Sequence, residues 1–503
     1  MEDSPDAPTR QIRSPPPWAE SDSLSRLTSF PDFFDRQVQP LRLSLLATRI
    51  RNMASPALHQ RNASRSSRPR SSTRGPLDVP EDPLSLSTLS ISPSVDKHEL
   101  SLNDGFSGPS FHELDPLAPD DLPETLGKDL SFLLRHNIFH PLSQVDIPSP
   151  LRSEFVVLNP GEPLSSSLGL LERLLSEGRF LVAAHFASSI LTSSLISPTD
   201  VRVIFSLFYT RLACLELSGN TVLAAQESKA LEDLNSTFYY IDSSLNDTEA
   251  DIQHEKAHEN FSRHIVPWPL RVLAVRLQSI GFGDSRRSIG GLYEIGLEAR
   301  GHITRNGCSE SERKIWRERL ADLGIRSVNA LVEMGDLDAA KRSLEALRAS
   351  DEDTEAMKLR KALLYLRIGD LDAAERVFRN SRESKEAALL KPLLSMSEGR
   401  YQDAVTEWRA LHEDTQRTDG ALVGQNLAVC LLYSGRLDEA RLLLEAQVSA
   451  HQSFGSLIFN LSTVYELCSD SAGRLKGQLA AIIAEQPVSG QTNLDRPNTD
   501  FKL

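Results

Sequence analysis

Cysteine is scarce in this 503-residue chain: Cys214, Cys308, Cys430 and Cys468 stand far apart, with no C-x-x-C pair. That spacing excludes a cysteine-based zinc finger and points to reduced, packing thiols of the cytosol. Long apolar runs are missing too. The richest stretches, Leu181–Ile196 and Val201–Leu217, carry histidine, arginine or several serines. Neither offers the roughly 20 clean residues of a membrane span. No apolar segment follows Met1, so no secretory signal is expected and Asn62, Asn246 and Asn460 are expected to stay unglycosylated. Basic charge is in deficit, with a net charge of −14 and a pI near 5.4. A general nucleic-acid binder needs the opposite sign. The expectation is a soluble, cytoplasmic protein.

Enzymatic signatures are absent as well. There is no G-x-x-x-x-G-K-(S/T) phosphate loop and no G-x-S-x-G elbow. GFGDSR, from Gly281, lacks the third glycine of a dinucleotide fingerprint, and no strand precedes it. No cofactor is expected.

What is present begins with a Ser/Pro/Arg-rich arm over residues 1–125, which cannot bury enough apolar surface to offset its ordering entropy. Within it, Leu41 to Arg74 holds eight arginines and no carboxylate. Its LRLSLLATRIRNM reads either as an amphipathic membrane anchor or as part of a solvated, phosphorylatable tail, and composition favours the tail. MASPALHQRN leaves Met53 as an alternative start to Met1. Residues 126–165 mix apolar runs with proline, predicting a short helix and an irregular lead-in. Beyond Ser166 apolar residues recur at helical period: degenerate helical hairpins over 166–325, regular repeats over 326–487, and a tail over 488–503. The fold class is all-α, a helical-hairpin solenoid behind a disordered arm.

The strongest internal signal is a repeated phrase: MGDLDAAKRSLEAL, IGDLDAAERVFRN, EGRYQDAVTEWRAL and SGRLDEARLLLEAQ. Its glycines, Gly335, Gly369, Gly399 and Gly435, are 34, 30 and 36 residues apart. Each glycine is expected to end a helix at positive φ, which costs it nothing. Leu337, Leu371, Tyr401 and Leu437 then open the next helix. Ala340, Ala374, Ala404 and Ala440 mark close helix approaches, and Leu344, Phe378, Trp408 and Leu444 fill the space between hairpins. Weaker echoes stand at Gly178 and Gly219. The phrase resembles the 34-residue tetratricopeptide repeat, a helix-turn-helix unit that stacks into a scaffold.

One stretch competes with this reading. HEKAHENFSRH places His254, Glu255, His258 and His264 in the spacing of a zinc protease. The glycine that must turn the chain toward the third histidine is replaced by Phe261, and no methionine lies between His264 and Met334 to floor the metal. The expectation is an unmetallated stretch at the start of a scaffold helix, with Leu270, Leu273, Val275 and Leu277 buried behind it. A chaperone-docking groove is a further alternative, because Asn426 and Asn460 sit where such repeats hold a peptide carboxylate. Leu422 stands where the accompanying lysine is needed, so these asparagines are expected to bond backbone between hairpins.

DLSFLLRHNIFHPLSQ from Asp129, HIVPWPLRVLAVRLQ from His264, FNLSTVYEL from Phe459 and the closing DFKL occur in an order that resembles one family. It is the subunit 12 family of the trafficking protein particle (TRAPP) complex, in a form similar to fungal members, over residues 126–503. The resemblance implies a noncatalytic tetratricopeptide scaffold in a TRAPP III vesicle-tethering assembly, acting in ER–Golgi transport and autophagy at early secretory membranes. Its implied partners are other TRAPP subunits. No catalytic, cofactor or metal residue is carried over.

Overall fold

Seven glycines punctuate the chain in one manner. Gly178, Gly219, Gly283, Gly335, Gly369, Gly399 and Gly435 all have φ between +63° and +93°. The amide after each of them donates to the carbonyl five residues back, at 2.8–3.1 Å. This closes the preceding helix on its own last carbonyls, in a conformation that a side chain would strain. The same following residue opens the next helix. Asp284, Asp336 and Asp370 accept an amide two or three residues ahead, each at 3.0 Å. Arg400 and Arg436 instead reach the carboxylates of Asp403 and Glu439 one turn on, at 2.8 and 2.6 Å.

The computed structural model describes residues 114–117, 128–159, 161–241, 263–305, 308–347, 355–379, 387–414 and 419–488. These belong to one compact unit; a second unit, 51–108, lies outside the described residues. Among the described residues the protein is an all-α solenoid of sixteen α-helices, paired antiparallel as eight hairpins. They are α1 (Leu164–Ser176) with α2 (Phe180–Leu191), α3 (Val201–Leu217) with α4 (Thr221–Glu227), and α5 (Trp268–Phe282) with α6 (Ser285–Thr304). Next come α7 (Glu310–Met334) with α8 (Leu337–Ala346), and α9 (Glu355–Ile368) with α10 (Leu371–Arg379). The last three are α11 (Leu390–Ser397) with α12 (Tyr401–His412), α13 (Gly420–Tyr433) with α14 (Leu437–Ser449), and α15 (Gly455–Cys468) with α16 (Ala472–Ala484). No helix among these is long and apolar enough to cross a membrane.

Ahead of Leu164, the described residues of the lead-in form no α-helix, only 3₁₀ turns at Ser131–Leu134, His136–Ile138 and Ser149–Leu151. Its prolines and polar residues leave too few consecutive backbone donors for a longer helix. It is nonetheless packed at both ends of the hairpin series. Leu130 and Leu133 are buried in the core of the first hairpins. Ile147 and Leu151 join the core that runs from α7 to α16, and so does Leu181 of α2. The Ser149–Leu151 turn packs directly on α16, so the front of the series touches its last hairpin. A third core, around Trp268, Val272, Leu292, Trp316 and Leu323, joins α5, α6 and α7.

A two-stranded antiparallel ribbon pairs β1 (Tyr240–Ile241) with β2 (Arg263–His264), Tyr240 opposite His264. Its strands flank residues 242–262, which lie outside the described residues.

Candidate interaction surface

The repeat-phrase residues lie at helix starts and in the core. Leu337, Leu371, Tyr401 and Leu437 are the first residues of α8, α10, α12 and α14. Ala340, Ala374, Ala404 and Ala440 are buried, and the first intrahelical amides of their helices belong to them. Leu344, Trp408 and Leu444 are buried and Phe378 is half-buried, all in one core. Tyr401 stacks on Tyr433 across neighbouring hairpins, centroids 4.8 Å apart. Trp408 donates its indole N–H to the Met396 sulfur at 3.2 Å. Burial pushes the Cys430 thiol up to about 12, which leaves it without a nucleophilic thiolate at neutral pH.

The zinc-like phrase is not on a helix where it is described. His254, Glu255 and His258 lie outside the described residues; His264 is on β2, four residues ahead of α5. The expected helix start is displaced because Pro267 and Pro269 bracket the first turn, and prolines are accepted only there. Both ring nitrogens of His264 are engaged. Val266 N–H donates to Nδ1 at 3.0 Å, so Nε2 carries the proton and donates it to the Leu234 carbonyl at 3.0 Å. A metal could take neither nitrogen without breaking one of these bonds. Burial, reinforced by the Arg271 charge, pushes the His264 pKa down to about 4.

That depression has a consequence for pH. A folded pKa below the unfolded value gives stability that is complete above about 6.5 and lost as pH falls toward 4. The unfolded chain takes the proton that the folded one refuses, a difference worth roughly 3 kcal/mol. Burial lowers His185 and His302 in the same direction. Calorimetry in steps from pH 7 to 4.5 should show a falling thermal midpoint. His264→Phe should start lower and fall less steeply; identical slopes for both proteins would count against this assignment.

Asn426 and Asn460 do not bond backbone between hairpins through their amide nitrogens. Each Nδ2 is buried without a hydrogen-bond partner. Asn426 is only 2% exposed, so it cannot present an amide to a peptide carboxylate in a groove.

A concave face lies on three successive first helices, α3, α5 and α7, with the start of α6. A cavity of about 150 Å³ opens there. Trp268, Val272, Leu292 and Ile325 floor it, and charged residues rim it. Arg276 pairs with Glu216 at 2.7 Å, and Asp322 with Arg326 at 2.5 Å. Two of the rim serines, Ser279 and Ser288, donate their hydroxyl protons to the carbonyls of Arg276 and Ser285. An apolar hollow of this size holds one benzene-sized group.

Two features escaped the sequence reading. Gly283 ends α5 in the left-handed conformation and is a repeat turn like the others, but Ser285 and Ser288 stand where the phrase has leucine and alanine. A glycine followed five residues later by a small residue was the usable signal. Residues 114–117, inside the stretch assigned to the arm, also hold a fixed place against the hairpins.

No protein-family profile matches this chain. It is similar to trafficking protein particle complex subunit 12 of Homo sapiens, 25% identical over 248 residues, covering 44% of this chain and 34% of that protein. It is also similar to the protein of that name from Mus musculus, 24% identical over 250 residues, covering 44% and 31%. The match spans about one third of the length of these curated relatives.

Proposed function

We propose that this chain is a noncatalytic scaffold or adaptor subunit of a TRAPP-type vesicle-tethering complex, acting in ER–Golgi transport and in autophagy. The observation that carries the reading is its similarity to two proteins named as subunit 12 of that complex. An all-α solenoid suits the role, because stacked hairpins offer a long surface and two ends to other chains. The partners are other TRAPP subunits, and nucleic acid and small-molecule substrates have no part. The acidic balance disfavours direct contact with an anionic bilayer, so membrane association is indirect, from the cytoplasmic side. The working division for truncation is arm 1–125, lead-in 126–165, hairpins 166–325, repeats 326–487 and tail 488–503, with the repeat glycines and alanines as scaffold positions.

Affinity purification of the tagged full chain from its own cells, followed by mass spectrometry, is expected to recover the large TRAPP subunits in near-equal amounts. Migration as a solitary monomer in the extract would overturn the proposal. Metal analysis of untagged protein addresses the hydrolase alternative: no stoichiometric zinc is expected, and one tightly bound zinc per chain would revive it.

A further inference from the structure

We propose that Trp268, Trp316 and Arg319 form a receptor for a short acidic peptide of the Asp-Pro-Leu type, filled here by the chain's own residues 114–117. The Arg319 guanidinium lies over both indoles, 4.8 Å from the Trp268 ring and 4.7 Å from the Trp316 ring. The indoles meet edge to face at 5.3 Å. The Arg319 side chain is only 10% exposed, and a guanidinium so placed requires an anion beside it. Glu298 is already engaged by Arg271. The anion for Arg319 comes from Asp115, a residue outside the hairpins and 204 positions away.

The seat fits a carboxylate closely. Oδ1 of Asp115 accepts from Arg319 Nη2. Oδ2 accepts the Trp268 N–H at 2.9 Å, the first amide of α5. There the unpaired donors of a helix start favour negative charge. Oδ1 also accepts the Leu117 N–H at 2.9 Å, folding Asp-Pro-Leu into a tight turn. That turn lays Leu117 on the core of α5, α6 and α7, while Arg263 donates to the Leu117 carbonyl at 3.2 Å. Every named bond between segment and receptor is one that a separate peptide could make.

The test uses a fluorescein-labelled peptide with the sequence FHELDPLA, residues 111–118, titrated into the full-length protein. Asp115→Ala should bind it saturably, as read by anisotropy. Wild type should bind at least about tenfold more weakly, because its own segment competes at high effective concentration. A peptide with asparagine in place of Asp115 should lose about tenfold or more, the usual worth of a charge-assisted bond. Adding Arg319→Gln to the Asp115→Ala protein should abolish binding. Should Asp115→Ala fail to fold, Leu117→Ser serves instead; it loosens the resident segment and should bind the peptide more tightly than wild type. No binding to either folded variant, or equal binding of the asparagine peptide, overturns the proposal and leaves the contact a fixed part of the fold.

Discussion

Replacing Glu227 with leucine is expected to cost about 3–5 kcal/mol of folding stability, and adding Arg211→Met should return most of it. Both side chains are buried, Arg211 at 0% and Glu227 at 1% exposure. Arg211 donates through Nε and Nη2 to the two carboxylate oxygens of Glu227, at 2.9 and 2.7 Å. Its other protons go to the carbonyls of Ala184 and His140 at 2.9 and 3.0 Å and to the Ser188 hydroxyl at 3.3 Å. Glu227 in turn accepts the His140 N–H at 2.9 Å. The pair therefore joins α2, α3 and α4 to the lead-in. Removing the carboxylate alone strands a guanidinium in the core, which costs more than the pair contributes when intact. Denaturant titration of the single and double variants measures the difference. A single variant as stable as wild type, or a double variant no better than the single, refutes the account.

A second large effect is expected from Ile147→Asp. The loop around it is held by its own bonds: Gln144 exchanges two hydrogen bonds with the Ser153 backbone, at 2.5 and 3.0 Å. Arg152 donates to the carbonyls of Ile147 and Val145, at 2.7 and 3.0 Å. With these bonds intact, the loop is expected to keep its shape when it leaves α16. A buried, unpaired aspartate costs several kcal/mol. The substitution has already removed Ile147, so release gives up only the burial of Leu151, about 1.5–3 kcal/mol, which is less than keeping the aspartate buried, and the loop swings out. X-ray scattering should show a larger radius of gyration, and limited proteolysis should cut within the lead-in. Val145→Asp is the control, since Val145 is 75% exposed. Unchanged scattering from Ile147→Asp sinks the idea.

The helical hairpins were legible because a left-handed glycine has few substitutes and a close helix crossing admits few residues larger than alanine. Where serine replaced alanine, at Ser288, the turn at Gly283 went unread although its backbone is the same. His264, expected at the start of a scaffold helix, lies on β2 four residues ahead of α5, whose first turn is set by Pro267 and Pro269. Leu270 and Leu277 behind it were placed well, since burial follows helical period. What the sequence could not announce was long-range pairing. Asp115 meets Arg319 across 204 positions, and no local periodicity records such a contact. The same holds for the cavity between α3, α5 and α7, whose lining is gathered from four helices.

The lead-in's seat on α16 also sets an order of events during synthesis. Each hairpin can close on residues just made, since its two helices are joined by a few residues. Ile147 and Leu151 share their core with Leu181 nearby, but the helix their turn packs on begins at Ala472, about 320 residues later. At typical elongation rates of about 5–20 residues per second, the ribosome needs roughly 15–65 s to supply it. For that interval the nascent chain carries an apolar loop whose docking place does not yet exist. The lead-in's seat is therefore completed only after the last described hairpin has left the ribosome.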